Sequence, residues 1–479
     1  MSKYLVFCDA NVNNDTEVWR VDVNNHVRRI SDGTFNPTVG NENVPNLPAM
    51  AAVTTAAGVP GVLVYGQDIQ TQLVNPFFLD GTGTGTVGMG VSELSNVNGS
   101  YPGNGLIPQC LTSYDGAVYF NGQVATSNIV EIPTDLWSSD GTVAGTTRIT
   151  SSDNNPLYPL YMTEAFGNLF FNGFSDGINS LYSYRHPGPP IQIPDPATLV
   201  GNFNPYCLAG ARMGSATILL NAEMVFIDGK IEWKVVPPPS LPIGLFMGGG
   251  GDNGRVGLYL CDSSASVTLI QDGLNPCNIV SMEWFSPFAE FQRINGAAFF
   301  SGFDADGARQ LWISRGTTGS TVQLPAPANW ASPAPVALDP YNLTPLNGIL
   351  YFTGVDGNGG VGGNKNPLAR GLFSYDPVKN KTALLLKSDQ FDLTGIYDSN
   401  WNGGPPQPRP LVNKQAGNGN AFTMVAFNNK LYFNCTGIGD LEQGLYVWDP
   451  SQHGSATPDT LTIGLDLSPI CLTEVSFNN

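Results

Sequence analysis

The amino-acid sequence predicts an all-β protein, folded as a single closed β-propeller of eight four-stranded blades, with seven blades as the alternative. Three observations lead to this prediction. Glycine and proline account for 56 and 37 of the 479 residues and only 13% of residues are charged, as expected for many short strands joined by turns. A short strand motif recurs along the chain, and the two chain ends complete one another. We therefore expect one domain, 1–479, although the length alone would allow about three.

The recurring motif is an apolar residue followed by an aromatic residue, with a polar residue three positions after the aromatic in every unit. The aromatic members are 45 to 77 residues apart, a spacing that suits propeller blades with loop insertions. They are Trp19, Phe77, Trp137, Tyr182, Tyr259, Trp312, Phe373 and Tyr446. An alternating strand, usually introduced by Asp-Gly, Asn-Gly or Asn-Asn, precedes the motif and indicates a hairpin. A strand before this hairpin and another after the motif would complete a four-stranded meander in each unit.

The two chain ends predict how the ring closes. Residues 469–479 match the first strand of other units, such as residues 159–168, whereas the N-terminus begins with a second strand at residues 4–7. One unit is therefore split between the termini. We predict that residues 467–479 and 3–33 together form blade 1, with residues 472–477 as its innermost strand. Pairing the ends in this way would leave neither end of the ring unpaired.

One repeat carries a more specific motif. Residues 136–146 read Leu-Trp-Ser-Ser-Asp-Gly-Thr-Val-Ala-Gly-Thr, with weaker copies at 80–86 and 314–320. Together with the preceding strand, this segment resembles propellers built from repeats of the form Leu-Trp-x-Ser-Asp-Gly-Thr-x-x-Gly-Thr. The strand pattern covers nearly the whole chain, whereas the specific motif covers a small part of it. Proteins with such repeats have diverse roles, so the resemblance implies the fold and no particular function.

Composition excludes several classes of protein. The 21 basic and 39 acidic residues give a net charge of −18, which argues against nucleic-acid binding. The most apolar stretch, 47–65, is interrupted by Pro60 and several glycines and does not predict a membrane span. The N-terminal apolar run is too short for a signal peptide, so we expect no Sec export, and the compartment stays open. The seven scattered cysteines are expected to be buried free thiols.

Aromatic residues outside the repeat mark candidate binding sites. They fall in connectors between blades, where a large ring must either be covered or take part in recognition. The longest connector is a predicted insertion at 388–420, rich in glycine and proline. The predicted binding residues are Trp284, Phe285, Trp330, Tyr397 and Trp401.

Metal binding and catalysis have weaker signals. Asp304 and Asp306 alternate with small residues in the loop 303–307 and are weak candidates for a Ca²⁺ site, although the same residues also favour turns. The sequence contains no nucleophile elbow, P-loop or dinucleotide fingerprint, so we assign no catalytic residue and no other cofactor. Enzymatic activity stays open, with a preference against it.

The sequence therefore favours a non-catalytic binding or scaffold propeller. It would recognise a protein or a glycan through one loop-bearing face of the ring, and could form part of a higher-order assembly. Two alternatives stay open at this point. One is a structural subunit of a secreted, cell-surface or virion assembly, and the other is a carbohydrate-active enzyme.

Overall fold

The structure is a computed structural model. It describes residues 2–10, 16–37, 50–83, 90–94, 105–124, 133–151, 155–175, 178–194, 211–213, 216–222, 256–262, 266–271, 292–305, 308–327, 330, 337–358, 370–389, 391–392, 424–437, 443–452, 459–460 and 469–477. Within these ranges the chain forms β-strands and one short 3-10 turn, Thr318–Ser320, and no α-helix.

The strands are numbered in chain order. Those of the first half are β1 (Ser2–Ala10), β2 (Thr16–Val21), β3 (Val27–Arg29), β4 (Phe35–Asn36), β5 (Met50–Thr54), β6 (Pro60–Asp68), β7 (Val74–Leu79), β8 (Val91–Glu93), β9 (Gln109–Tyr114), β10 (Ala117–Gln123), β11 (Thr134–Ser139), β12 (Thr147–Ile149), β13 (Leu160–Ala165), β14 (Asn168–Ser175), β15 (Ile178–Tyr184) and β16 (Ile191–Gln192).

The second half continues this series. Its strands are β17 (Ala211–Met213), β18 (Ala216–Ala222), β19 (Val256–Asp262), β20 (Val267–Gln271), β21 (Gln292–Ile294), β22 (Ala297–Phe303), β23 (Arg309–Ser314), β24 (Val322–Gln323), β25 (Tyr341–Leu346), β26 (Ile349–Val355), β27 (Arg370–Asp376), β28 (Lys381–Leu386), β29 (Phe391–Asp392), β30 (Met424–Phe427), β31 (Lys430–Gly437), β32 (Gln443–Trp448), β33 (Asp459–Thr460) and β34 (Pro469–Phe477).

The strands in the described ranges form eight antiparallel sheets, which we number as blades in chain order. Blade 1 combines β34 with β1 to β3, and blade 2 contains β4 to β8. Blades 3 to 7 are the successive meanders β9–β12, β13–β16, β17–β20, β21–β24 and β25–β28, and blade 8 contains β29 to β33. Each meander pairs strands that are neighbours in sequence, which is the simplest way to bury one apolar face against the next sheet.

Neighbouring blades pack against one another around the whole ring. Apolar side chains form a shared core at most junctions, as where Val6 of blade 1 packs with Val64 of blade 2. At the junction of blades 5 and 6, the Thr318 hydroxyl donates a hydrogen bond of 2.5 Å to the Ile270 carbonyl. The ring returns from blade 8 to blade 1 through a core that contains Tyr432. The predicted all-β closed propeller is confirmed.

The chain ends close the ring. β1 and β34 pair antiparallel, from Ser2 opposite Phe477 to Asp9 opposite Pro469. Val475 is buried between blades 1 and 2, and Lys3 Nζ lies 2.5 Å from Glu474 Oε1 on the exposed side of the same pair of strands. The predicted closure by the C-terminal strand is confirmed, because this strand fills the innermost position of blade 1.

The recurrent aromatic residues occupy one register in the third strand of each blade. Each lies opposite an apolar residue of the second strand. The pairs are Phe7 with Trp19, Val64 with Phe77, Phe120 with Trp137, Phe171 with Tyr182, Leu219 with Tyr259, Phe300 with Trp312, Phe352 with Phe373 and Phe433 with Tyr446. In blades 3, 4 and 7 the two rings stack within about ten degrees of parallel. The motif therefore encodes a cross-strand pair inside the sheet.

The Ser-Asp-Gly-Thr segment folds as the turn between the third and fourth strands of blade 3. Asp140 Oδ1 accepts hydrogen bonds from the Thr142 backbone and hydroxyl, and Ser139 Oγ lies 2.8 Å from Thr146 Oγ1. A Cβ atom at Gly145 would collide with the Asp140 carboxylate, so a larger residue there would displace this hydrogen-bonded side chain. These residue types are therefore explained by turn chemistry.

Blades 2 and 8 have an interrupted innermost strand. In blade 2, β4 ends at Asn36, which lies opposite Gln67 of β6. The innermost strand resumes as β5 at Met50, which lies opposite Val64 of β6. Blade 8 repeats this arrangement with Asp392 opposite Thr436 and Met424 opposite Phe433. Both breaks lie at the same register, on either side of blade 1. The predicted insertion 388–420 includes β29 and continues into this break, and its residues 390 and 393–420 lie outside the described part of the chain.

Candidate functional site: an arginine cluster at the connector face

The second-to-third strand loops and the connectors between blades leave the sheets on one side of the ring, which we call the connector face. On this face, Arg309 and Arg370 hold equivalent positions as the first residues of the third strands of blades 6 and 7. They pair with the last residues of the second strands, Phe303 and Val355. The repeat therefore places two guanidinium groups at the same height on adjacent blades.

Asp339 joins these two arginines. It belongs to the connector from blade 6 to blade 7, and its backbone N–H donates a hydrogen bond of 2.9 Å to the Arg309 carbonyl. Arg370 donates from Nη1 to the Asp339 carbonyl at 2.5 Å and from Nη2 to the Asp339 carboxylate. Arg309 Nε lies 3.8 Å from Asp339 Oδ1. We call Arg309, Asp339 and Arg370 the arginine cluster.

The charge and burial of the arginine cluster set its chemistry. Two guanidinium groups and one carboxylate give these three side chains a net charge of +1, in a chain whose overall charge is −18. The arginine side chains are 5% and 7% exposed, whereas Asp339 is 16% exposed. The Arg370 guanidinium carbon lies 4.1 Å from the centre of the half-buried Tyr341 ring, a cation–π contact. This arrangement suits a planar anionic group such as a carboxylate, which guanidinium groups bind through paired hydrogen bonds.

Two of the residues predicted from the sequence lie around the arginine cluster. Trp330 is half-buried, packs on the core between blades 6 and 7, and donates from Nε1 to the Val355 carbonyl at 3.0 Å. Asp304 accepts from Gln310 Nε2 at 3.3 Å, and Gln310 Oε1 accepts from the Leu338 backbone at 3.4 Å. The contacts of Trp330 give it a covering role, and its role in binding stays a prediction.

The other predicted site residues lie outside the described part of the chain. They are Trp284, Phe285, Tyr397, Trp401 and Asp306. Their roles in binding a partner, and that of Asp306 in binding Ca²⁺, stay predictions. Among the described residues no group of three or more His, Cys, Asp or Glu side chains could hold a metal ion.

We expect Ca²⁺ to bind weakly at Asp304, because both oxygens of this carboxylate already accept hydrogen bonds. Oδ1 accepts from the Ala308 backbone at 2.8 Å and Oδ2 accepts from Gln310. A Ca²⁺ site needs six to eight oxygen ligands, so affinity should be millimolar or weaker. Isothermal titration calorimetry of the chain with CaCl₂ measures this directly. Micromolar binding that disappears in Asp304→Ala would contradict the prediction.

Sequence reasoning missed the three charged members of the arginine cluster. A signal was present, since units 6 and 7 share Arg-x-Leu-aromatic, as Arg309-Gln-Leu-Trp and Arg370-Gly-Leu-Phe. In the other units a different residue stands at this position. The signal becomes meaningful only once the fold shows that these positions face one another across a blade junction.

The chain matches no family model and no curated protein. Its structure is similar to a puromycin hydrolase, at 13% identity and a TM-score of 0.42 over 96% of this chain and 52% of the other. A puromycin-hydrolysing peptidase of Mycobacterium tuberculosis matches at 11% identity and a TM-score of 0.43, over 81% of this chain and 52% of the peptidase. The β-propeller domain of the trilobed protease from Pyrococcus furiosus matches at 10% identity and a TM-score of 0.40. This match covers 87% of this chain and 98% of that domain. The chain spans about half the length of the first two proteins.

These comparisons correct the function expected from the sequence. We had expected a non-catalytic binding or scaffold propeller, with an assembly subunit and a carbohydrate-active enzyme as alternatives. This expectation is contradicted, because the similar structures are named as hydrolases and peptidases. The preference against enzymatic activity stays a prediction.

Among the described residues, no helix is long and apolar enough to span a membrane.

Proposed function

We propose that this chain is the propeller of a peptide-hydrolysing system, and that its arginine cluster recognises a carboxylate of the peptide. Hydrolysis is the activity for which the similar structures are named, and for this chain it is part of the proposal. The observation that carries carboxylate recognition is the net positive cluster on the connector face. In this proposal the ring is a rigid frame, and the connector face receives the peptide.

The chemistry of the cluster favours a carboxylate over other groups. Each guanidinium has five N–H donors in a fixed plane, so Arg309 and Arg370 together have more donors than the Asp339 carboxylate alone can accept. Asp339 is the most exposed of the three side chains. An incoming carboxylate therefore approaches beside Asp339 and competes with it for Arg370. The Tyr341 ring lies against the Arg370 guanidinium and limits the approach to one side.

This competition leads to a prediction with opposite signs for two substitutions. Arg370→Gln removes the principal donor and should weaken binding of a peptide with a free carboxylate by about 10- to 100-fold, the value of one or two charge-assisted hydrogen bonds. Asp339→Asn removes the competing carboxylate and should tighten the same binding. Fluorescence anisotropy with a labelled hexapeptide, compared with its C-terminal amide, measures both effects.

The matched control is Arg148→Gln. Arg148 pairs with the buried Asp135 at 2.7 Å in blade 3, so this substitution removes a similar ion pair away from the cluster. It should leave peptide binding unchanged. Equal affinities for the free acid and the amide, or equal losses in Arg370→Gln and Arg148→Gln, would overturn the proposal. A structural cluster without a ligand would lower the stability in Asp339→Asn and leave peptide affinity no higher.

A further inference from the structure

Three tyrosines form a buried cluster between blades 3 and 4, away from the arginine cluster. Tyr114 ends β9, Tyr119 lies in β10 and Tyr184 ends β15, and all three are buried. The ring centre of Tyr119 lies 5.2 Å from that of Tyr114 and 5.6 Å from that of Tyr184. Aromatic pairs at such distances are common in protein cores, so the rings alone indicate packing. The hydroxyl groups are what set this cluster apart.

The hydroxyl group of Tyr184 connects the cluster with the surface. The Tyr184 hydroxyl lies 3.2 Å from Nδ1 of His186, whose imidazole is exposed. Tyr114 makes a different contact, because its hydroxyl donates to the Gly167 carbonyl at 2.8 Å. One hydrogen bond therefore connects the buried Tyr184 phenol with an exposed base.

We propose that Tyr184, with His186 as its proton acceptor, is a redox-active site of this protein. A diffusible one-electron oxidant removes one electron from Tyr184, and the phenolic proton moves to Nδ1 of neutral His186. The products are a neutral Tyr184 phenoxyl radical, an imidazolium and the reduced oxidant.

The environment of the phenols supports coupled transfer of the electron and the proton. Burial raises the pKa of Tyr119 and of Tyr184, so neither phenol ionises readily before oxidation. Oxidation without loss of the proton would leave a positive charge in an apolar core, which is costly. A base in hydrogen-bond reach removes this cost, and His186 supplies one at 3.2 Å from Tyr184.

Blade 7 contains a matched control for this site. Tyr375 follows the recurrent aromatic of its third strand by two residues, as Tyr184 does in blade 4, and it is also buried. Its hydroxyl donates to the side-chain oxygen of Asn380 at 2.8 Å. An amide oxygen does not take up a proton in water near neutral pH. Tyr375 therefore has the position and burial of Tyr184 without its base.

The test oxidises the full chain with hexachloroiridate(IV) and follows the tyrosyl radical by freeze-quench electron paramagnetic resonance. We expect the rate of radical formation to fall about tenfold in Tyr184→Phe and in His186→Gln, and to stay unchanged in Tyr375→Phe. In the unaltered protein the rate should be lower in D₂O, and this isotope effect should disappear in His186→Gln. Near-ultraviolet circular dichroism identifies variants that have lost their fold.

Two results would overturn the inference. In the first, Tyr375→Phe slows radical formation as much as Tyr184→Phe, which would mean that any buried tyrosine serves equally well. In the second, His186→Gln folds normally and changes neither the rate nor the isotope effect, so that the imidazole takes no proton. His186 lies at the exposed end of a turn, and replacing it by glutamine should leave the fold intact.

Discussion

Removal of residues 469–477 should abolish the cooperative unfolding transition of this protein. These residues form β34, which supplies the innermost strand of blade 1 and pairs with β1 along nearly its whole length. Without β34, the edge of β1 and the apolar surfaces of blades 1 and 2 around Val475 become exposed to water. The loss should amount to several kcal/mol, enough to leave a marginally stable domain largely unfolded. Differential scanning calorimetry of the truncated chain measures this loss.

The control for this truncation removes the ion pair and keeps the strand. Lys3 and Glu474 are both exposed, so the double substitution to alanine should cost less than about 1 kcal/mol. If the truncated chain and the double variant melt at the same temperature, β34 contributes little to stability and the ring is held together elsewhere.

Trp137→Ala should be the most damaging single substitution in the recurrent aromatic positions. The Trp137 side chain is fully buried, stacks on Phe120, and donates from Nε1 to the Gly122 carbonyl at 3.1 Å. Deleting it leaves a large cavity between blades 2 and 3, at a cost of about 3 to 5 kcal/mol. Urea denaturation followed by circular dichroism gives this value directly.

Two comparisons make this second prediction specific. Trp137→Phe keeps a stacked ring and loses one hydrogen bond, so its cost should be clearly smaller. Trp330→Ala removes a half-buried indole from the connector face and should also cost less. A loss in Trp330→Ala as large as that in Trp137→Ala would show that the repeated aromatic pairs do not dominate the stability of the ring.

Much of the fold can be predicted from the sequence, because the repeat fixes both the strands and their neighbours. The apolar-aromatic pair predicts a third strand, and the turn residues before it predict a hairpin. The unit that is split between the termini predicts how the ring closes. The interruption of the innermost strand in blades 2 and 8 could not be foreseen. Strands of two residues, such as β4 and β29, carry too little pattern to be recognised, and only their pairing reveals them.

The candidate site was predicted only at its margin. Trp330 is predicted because it lies outside the repeat, and Asp304 because its loop alternates aspartate with small residues. Both border the arginine cluster. Arg309 and Arg370 follow the strand pattern, and the Arg-x-Leu-aromatic sequence that they share does not by itself show that their side chains meet. Arg309 and Arg370 are 61 positions apart, and only the packing of adjacent blades brings them to the same carboxylate.

The split construction of blade 1 determines when this protein can finish folding. β1 is synthesised long before its partner β34, which lies more than 450 residues later in the chain. Blades 3 to 7 are each built from consecutive residues and can form as synthesis proceeds, whereas β1 must wait with one edge unpaired. Closure of the ring therefore waits for the slow joining of these distant segments. Until then, the edge of β1 exposes unpaired backbone groups of the kind that pair with other strands.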